Sequence, residues 1–351
     1  MDKFQILALG DVQVCPQSYA IVDRFFDKLL ELYNPNVLVL PGDLFEYNSY
    51  TNNYIPASTV IQPYADFFKE LTNRGTQIII VAGNHDKTYG DFSNATDIFR
   101  GPNIHNTSDD ICAVDIGPVR FICVPWLMMH QYESKEQVLG SIKNLKSDLI
   151  PILVGHLRVI DAKDGGYKVK KSEYSFMFSV DDLADLGIEY GILGDIHKYQ
   201  NVINKMDYIG SIRQRHFGES GNPTKVRLIT INNGLVVDQY DDLSYLMPQY
   251  IIKQCATPDE LEDFVQSDLD SANQYRAEFN FETKLRPPKA NIKFRCLKDT
   301  STNKHRKLNI QSLGTKLTPE IMIGLYNRYT KELTTDEEAS AITFFGEHKY
   351  D

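Results

Sequence analysis

Five short blocks carry residues able to do metal and proton chemistry: Gly10-Asp11-Val12-Gln13, Gly42-Asp43, Gly83-Asn84-His85-Asp86, Gly155-His156 and Gly194-Asp195-Ile196-His197. Each follows an apolar run: Phe4 to Leu9, Val37 to Leu40, Ile78 to Ala82, Ile150 to Val154 and Tyr190 to Leu193. Short runs of Val, Ile and Leu read as strands buried on both faces. Ligands of α/β sheets sit where the carboxyl ends of strands open into loops. Aligned in one parallel-type sheet, the five ends would converge on one rim. Mixed carboxylate, amide and imidazole donors suit Mn²⁺, Fe or Zn better than a thiolate set would. Asn84 offers a neutral oxygen. His85 is a ligand or a proton donor, and Asp86 can orient its ring. Each block alone has an ordinary alternative. Asp11 or Asp43 could cap a helix, His156 could be a satisfied core histidine, and the Asn84 block could be a polar turn. The five together, in this order, argue for a site.

The block order resembles the metallophosphoesterase superfamily, which binds two metals. The wording is narrower. Gly42-Asp43-Leu44-Phe45, Gly83-Asn84-His85-Asp86, Val124-Pro125-Trp126, Gly155-His156 and Gly194-Asp195-Ile196-His197-Lys198-Tyr199-Gln200 resemble the SbcD-type nuclease subunit. Tyr208-Ile209-Gly210-Ser211 and Phe217-Gly218-Glu219 match that subfamily's wording beyond the last metal block. The likeness covers residues 1 to about 245 well and the remainder in layout only.

The resemblance implies a layered α/β/β/α sandwich with a small α/β cap and a helical C-terminal tail. It implies a Mn²⁺-dependent DNA exo- and endonuclease acting at DNA ends in recombination, repair or phage replication, with an SbcC-type coiled-coil ATPase as partner. Two divalent ions, Mn²⁺ first and Mg²⁺ as the alternative, would clamp the attacking and leaving oxygens. Asp43 would bridge them. Asp11, Gln13 and His197 would complete one ion, and Asn84, His156 and Asp195 the other. His85 would serve the leaving group, with Asp86 holding its ring.

Two departures from the family pattern stand out. The family's Asp-x-His is Asp11-Val12-Gln13 here, and its Gly-His-x-His is Gly194-Asp195-Ile196-His197. A glutamine carbonyl is a weaker ligand than imidazole, and Asp195 brings a negative charge in place of a neutral ring. The expected preference moves toward Mn²⁺ or Mg²⁺ and away from Zn²⁺. A catalytically weak or silent scaffold that recruits the ATPase to DNA is one alternative function. A phosphoesterase acting on smaller nucleotides is another.

Composition sets outer bounds. A chain of 351 residues exceeds one average domain and can bury a sizeable core. Its net charge of -10 argues against a protein that merely coats nucleic acid. The 5 cysteines are an odd number without CxxC spacing and read as buried thiols in a reducing compartment. The N-terminus enters a strand at once, without a signal-peptide layout, and no apolar stretch is long enough to span a membrane. These features predict a cytoplasmic protein, in the host cytoplasm if phage-encoded.

Helical spacing predicts helices over 20–33, 60–71 and 135–145, alternating with strands in βαβ order. Residues 111–124 read as a hairpin, and 165–179 as a polar loop beside the rim. Asn232-Asn233-Gly234 predicts a tight hairpin turn. A boundary is expected near Leu246-Met247-Pro248, dividing a nuclease domain (1–245) from a cap (246–312) and a tail (313–351).

In the cap, Lys284, Arg286, Lys289, Lys293, Arg295, Lys298, Lys304, Arg306 and Lys307 face a single acid, Asp299. Such a track suits phosphate contacts, with Lys289, Lys293, Arg295 and Lys298 as the DNA-binding candidates. In the tail, Thr318-Pro319 opens a helix bearing Ile321, Leu325, Tyr329 and Leu333 at four-residue spacing. This stripe either folds back on the cap or docks on the ATPase. A homodimer is also compatible with the family likeness.

Overall fold

The computed structural model describes residues 3–46, 58–87, 94–127, 131–160, 162–164, 167–168, 175–283 and 285–297. Lys284, Lys298, Lys304, Arg306, Lys307, the 47–54 loop, much of 165–174 and the whole 313–351 tail lie outside the described residues. Met1–Cys296 forms one compact unit, and Leu297–Asp351 a second.

Two six-stranded sheets form its centre. The first contains β1 (Phe4–Leu9), β2 (Val37–Leu40), β3 (Gln77–Val81) and β4 (Ile104–Thr107) in parallel. The second contains β5 (Cys112–Ile116), β6 (Val119–Val124), β7 (Ile150–His156), β12 (Tyr190–Gly194), β13 (Gln200–Ile203) and β14 (Lys205–Tyr208), with β6, β7, β12 and β14 parallel. Between β7 and β12 the chain makes the short strands β8 (Arg158–Val159), β9 (Lys163–Asp164), β10 (Tyr167–Lys168) and β11 (Met177–Phe178). The antiparallel β15 (Lys225–Asn232) and β16 (Leu235–Asp242) complete the first sheet beside β1. Asn233 and Gly234 join them with φ of 49° and 80°, the left-handed pair that a two-residue hairpin requires.

Strand alternation builds the layers. Ile6, Ala8, Val37, Val39, Ile79 and Val81 point inward and meet Phe121, Cys123, Ile152, Val154 and Ile192 of the other sheet. Leu7, Leu9, Leu38 and Leu40 point outward, against Val22, Phe25 and Phe26 of α1 (Tyr19–Leu32) and Phe67 and Phe68 of α2 (Ser58–Asn73). The second sheet is covered by Val138 and Ile142 of α3 (Lys135–Asn144) and Leu183 of α4 (Val180–Ala184). The result is the expected α/β/β/α sandwich. A single sheet does not form: β1, β2 and β3 lie in one sheet, β7 and β12 in the other. The five strand ends therefore meet across the gap between two sheets.

A smaller parallel sheet follows, of β17 (Tyr250–Gln254), β18 (Gln274–Phe279) and β19 (Ile292–Cys296). Helix α5 (Pro258–Gln266), capped by Thr257, packs Leu261 against Ala277 and Phe279. Its central strand β18 carries Gln274, Arg276 and Glu278, and this polar alternation hid it from the sequence reading. All 5 cysteines are free, but only Cys123 and Cys255 are buried; Cys296, read as buried, is exposed at the end of β19. No helix among the described residues is long and apolar enough to cross a membrane.

Candidate metal centre

The loops after β1, β2, β3, β7 and β12 converge. Gln13 N–H donates to the Asp43 carbonyl at 2.9 Å, tying the first two loops together. Gly42 makes the turn before Asp43 with φ +112°, and a Cβ there would lie 2.1 Å from His156 Nδ1. Gly83 is as tightly placed: its Cβ would meet Asp43 Oδ1 at 2.2 Å. Gln13, Asp43 and Asp195 have φ of 46°, 52° and 97°, a region non-glycine residues rarely adopt. Such strain persists where surrounding structure imposes it, and it gathers at functional sites.

Asp11, Gln13, Asp43 and His156 are essentially without solvent exposure. Ligand atoms of Asp11, Asp43 and His156 all lie within 4.8 Å of one another. His156 Nδ1 donates to the Pro41 carbonyl at 2.9 Å. Its Nε2 is then aimed at Asn84 Oδ1 at 3.0 Å, Asp43 Oδ1 at 3.5 Å and Asp195 Oδ1 at 4.0 Å. Asp43 Oδ2 accepts from Gln13 Nε2 at 2.9 Å, and Oδ1 from the His85 N–H at 2.8 Å. His85 Nε2 stands 4.0 Å from Asp43 Oδ2, with its side chain partly open to solvent.

Burial pushes the Asp11 carboxyl above its usual range, against the pull of His156 and His197. Burial acts the same way on Asp43, but His156 and His85 outweigh it and hold that carboxyl low. Burial disfavours a charged His156, yet Asp43, Asp11 and Asp195 together raise it. Two buried acids converging on one buried imidazole form a cluster whose negative charge a divalent ion would neutralise. Asp11 Oδ2 and Gln13 Oε1 are buried without any hydrogen-bond partner. Buried oxygens rarely stay orphaned, and two of them on residues of this cluster fit a cation. The donor set of carboxylates, amide oxygens and imidazoles suits a divalent metal.

His197 is held from outside the five blocks. Its Nδ1 lies 2.8 Å from Glu219 Oε1, with Arg215 Nη2 at 3.1 Å. Burial opposes ionisation of Glu219, but hydrogen bonding to His197 and the charges of His197 and Arg215 push its carboxyl down to about 2. A carboxylate behind a histidine fixes the ring for a metal. Arg213 joins this shell, donating to the Gln13 carbonyl and to Glu46 Oε2, each at 2.7 Å. Ser211 Oγ donates to the Asp11 carbonyl at 2.8 Å, which places the Gly210-Ser211 tail directly behind the first block.

Two expectations change. Asp86 was expected to hold the His85 ring; its oxygens instead accept the main-chain N–H groups of Gly83 at 2.9 Å and Phe45 at 3.1 Å, clamping two loops. Asp195 was expected to add a negative charge; Arg158 Nε and Nη2 grip its two oxygens at 2.9 and 2.8 Å. Arg158 and Glu219 were missed as site residues. Glu219 stood in the quoted wording without a role. Arg158, two residues past His156, could have been sought as the cation answering Asp195.

The sequence of residues 4–199, more than half the chain, matches the family described as calcineurin-like phosphoesterase. The chain belongs to the calcineurin-like phosphoesterases. With the Asp11–Asp43–His156 cluster, this makes it a metal-dependent hydrolase of the phosphoesterase class. Among solved structures, the phosphoesterase is similar to GAP50, described as the anchor in the inner membrane complex of Plasmodium, at 12% identity over 78% of this chain and 99% of that one, TM-score 0.44. It is also similar to the nuclease MPE of Pseudomonas putida, at 13% identity over 49% and 72% of the two chains, TM-score 0.25. A Vps29 double mutant from Entamoeba histolytica matches at 13% identity over 68% and 99%, TM-score 0.27.

Proposed function

We propose that this phosphoesterase is a two-ion DNA nuclease subunit, using Mn²⁺ and acting with an SbcC-type coiled-coil ATPase. The observation that carries the reading is a bridge from the metal centre to the smaller sheet. Glu219, which holds His197, lies two residues past Phe217, and Phe217 packs edge-on against Tyr250 at 5.0 Å. Arg276 sits 4.6 Å and Lys293 5.8 Å from the Phe217 ring centroid. Lys289, Lys293 and Arg295 are exposed, and Arg295 also pairs with Glu278 at 3.2 Å. A cationic face joined to the centre suits a polymer of phosphates better than a small nucleotide. The sequence resemblance supports the same substrate.

Asp11, Asp43, Gln13 and His197 would hold one ion, and Asn84 and His156, with Asp43 shared, the other. Bound divalent ions neutralise phosphate charge and activate a water nucleophile. Pro41 fixes the His156 tautomer, Glu219 fixes the His197 ring, and Asp86 holds the Phe45 and Gly83 loops in place. His85, partly exposed beside Asp43, would give a proton to the departing oxygen.

The test is digestion of end-labelled duplex DNA with Mn²⁺ by the wild type and by Asp43→Asn. Cleavage by the wild type alone is expected. No cleavage by either protein would favour the scaffold reading, for which the engagement of Asp195 by Arg158 is the supporting observation.

A further inference from the structure

Asp195 stands where the sequence departs from its family, and its carboxylate is already engaged. Arg158 grips both oxygens in a fork, and the Asp195 side chain is only 3% exposed. Guanidinium and carboxylate match in this geometry, making the pair stronger than two separate hydrogen bonds. Each partner is also anchored. Asp195 sits at φ 97° with its N–H donating to Asp11 Oδ1 at 3.0 Å. Arg158 lies on β8, paired with Met177 of β11, and its guanidinium sits 5.3 Å from the Trp126 ring centroid. Trp126 in turn meets the His156 ring edge-on at 5.9 Å. Yet Asp195 Oδ1 is only 4.0 Å from His156 Nε2, close enough to join an ion on that side if released.

We propose that Arg158 is a positioning residue that withholds Asp195 from the second ion. The centre then takes one divalent ion tightly through Asp11 and Asp43. A second, on the Asn84–His156 side, binds at least about tenfold more weakly, the scale on which groups bonded to ligands set metal affinity. The site would complete itself only at high divalent-ion concentration. This rests on the centre binding metal, and not on DNA being the substrate.

Trp126 is the protein's 1 tryptophan, so its fluorescence reports on this side of the centre without any reaction. The experiment titrates the full chain with Mn²⁺ alone, following Trp126 fluorescence and, by calorimetry, stoichiometry. For the wild type, a tight phase and a weaker second phase are expected. Arg158→Gln frees Asp195 and should tighten the second phase about tenfold or more. Adding Asp195→Asn to that variant should undo the gain. Arg158→Lys keeps the charge but cannot span both oxygens, so it should tighten the phase as well and serves if Arg158→Gln does not fold. Two equal phases in the wild type, a single phase in every protein, or second phases unchanged in the folded Arg158 variants would each overturn the proposal. Because no DNA is present, failure of the nuclease reading leaves this result standing, and the reverse also holds.

Discussion

His156, at the end of β7 in one sheet, donates its Nδ1 hydrogen at 2.9 Å to the carbonyl of Pro41, the residue that follows β2 of the other. A carbonyl can only accept, so the tautomer is fixed and Nε2 is the nitrogen that faces Asn84 and Asp43. The contact joins positions 115 residues apart and closes the gap in which the centre forms.

Gly42→Ala should break this contact. Its Cβ would lie 2.1 Å from His156 Nδ1, at φ +112°. A loss of roughly 1–3 kcal/mol is expected from backbone strain alone, with weakened Mn²⁺ binding from the displaced ring. Gly75→Ala is the control, since Gly75 also has positive φ but nothing within 4 Å of the added carbon. Urea unfolding and calorimetry should separate the two: both variants lose stability, and only Gly42→Ala loses metal affinity. Equal metal affinity in both would mean the ring is not a ligand.

Glu219→Gln keeps the shape behind His197 and removes the charge. Metal affinity should fall by about 10–100-fold while circular dichroism stays that of the wild type. Unchanged affinity would place His197 outside the ion's reach.

Asp43→Asn and His85→Ala should fail differently. The first removes a charge proposed to be shared between the two ions, so both Mn²⁺ binding and cleavage should fall, the latter by about 10²–10³-fold. The second removes the proposed proton donor and leaves the proposed ligands, so cleavage should slow by about 10²–10⁴-fold with Mn²⁺ binding near that of the wild type. Loss of metal from His85→Ala would reassign His85 as a ligand.

A pH prediction concerns a site remote from the centre. Asp182 Oδ2 accepts from Lys135 Nζ and from the Ser179 N–H, both at 2.7 Å, joining α3 to the start of α4. Burial works against the charged form, but Lys135 and Ser179 prevail and lower the carboxyl below its ordinary 3.8. A depressed carboxyl contributes stability above its unfolded value and loses it as pH falls through the folded one. Asp182→Asn should cost about 0.5–1 kcal/mol at neutral pH, and the difference should vanish in acid. Urea midpoints across pH would show it; a difference that persists in acid would point to packing.

Truncation after Gly314 should leave a Mn²⁺-binding protein that no longer co-purifies with its proposed ATPase partner, because the apolar residues Ile321, Leu325, Tyr329 and Leu333, spaced by four in the sequence, are removed. Undiminished partner binding would move the docking surface elsewhere.

The sequence by itself determined the strands, their polar ends and the residue types gathered there. Ile78 to Val81 reads as a buried strand because four consecutive apolar residues leave no polar face, and all four are fully buried. The Asn233-Gly234 turn was legible because few residues tolerate positive φ. Less visible were strands with mixed faces, such as Gln274–Phe279, where packing overrides a polar composition. Tertiary structure decided the rest. A run buried on both faces fits either sheet, so only packing split β1, β2 and β3 from β7 and β12. Asp195 and Arg158 are 37 residues apart, and no local pattern links them. Sequence supplied the charge at Asp195; the fold neutralised it, because a buried carboxylate requires a partner and the chain brought one from the neighbouring strand end.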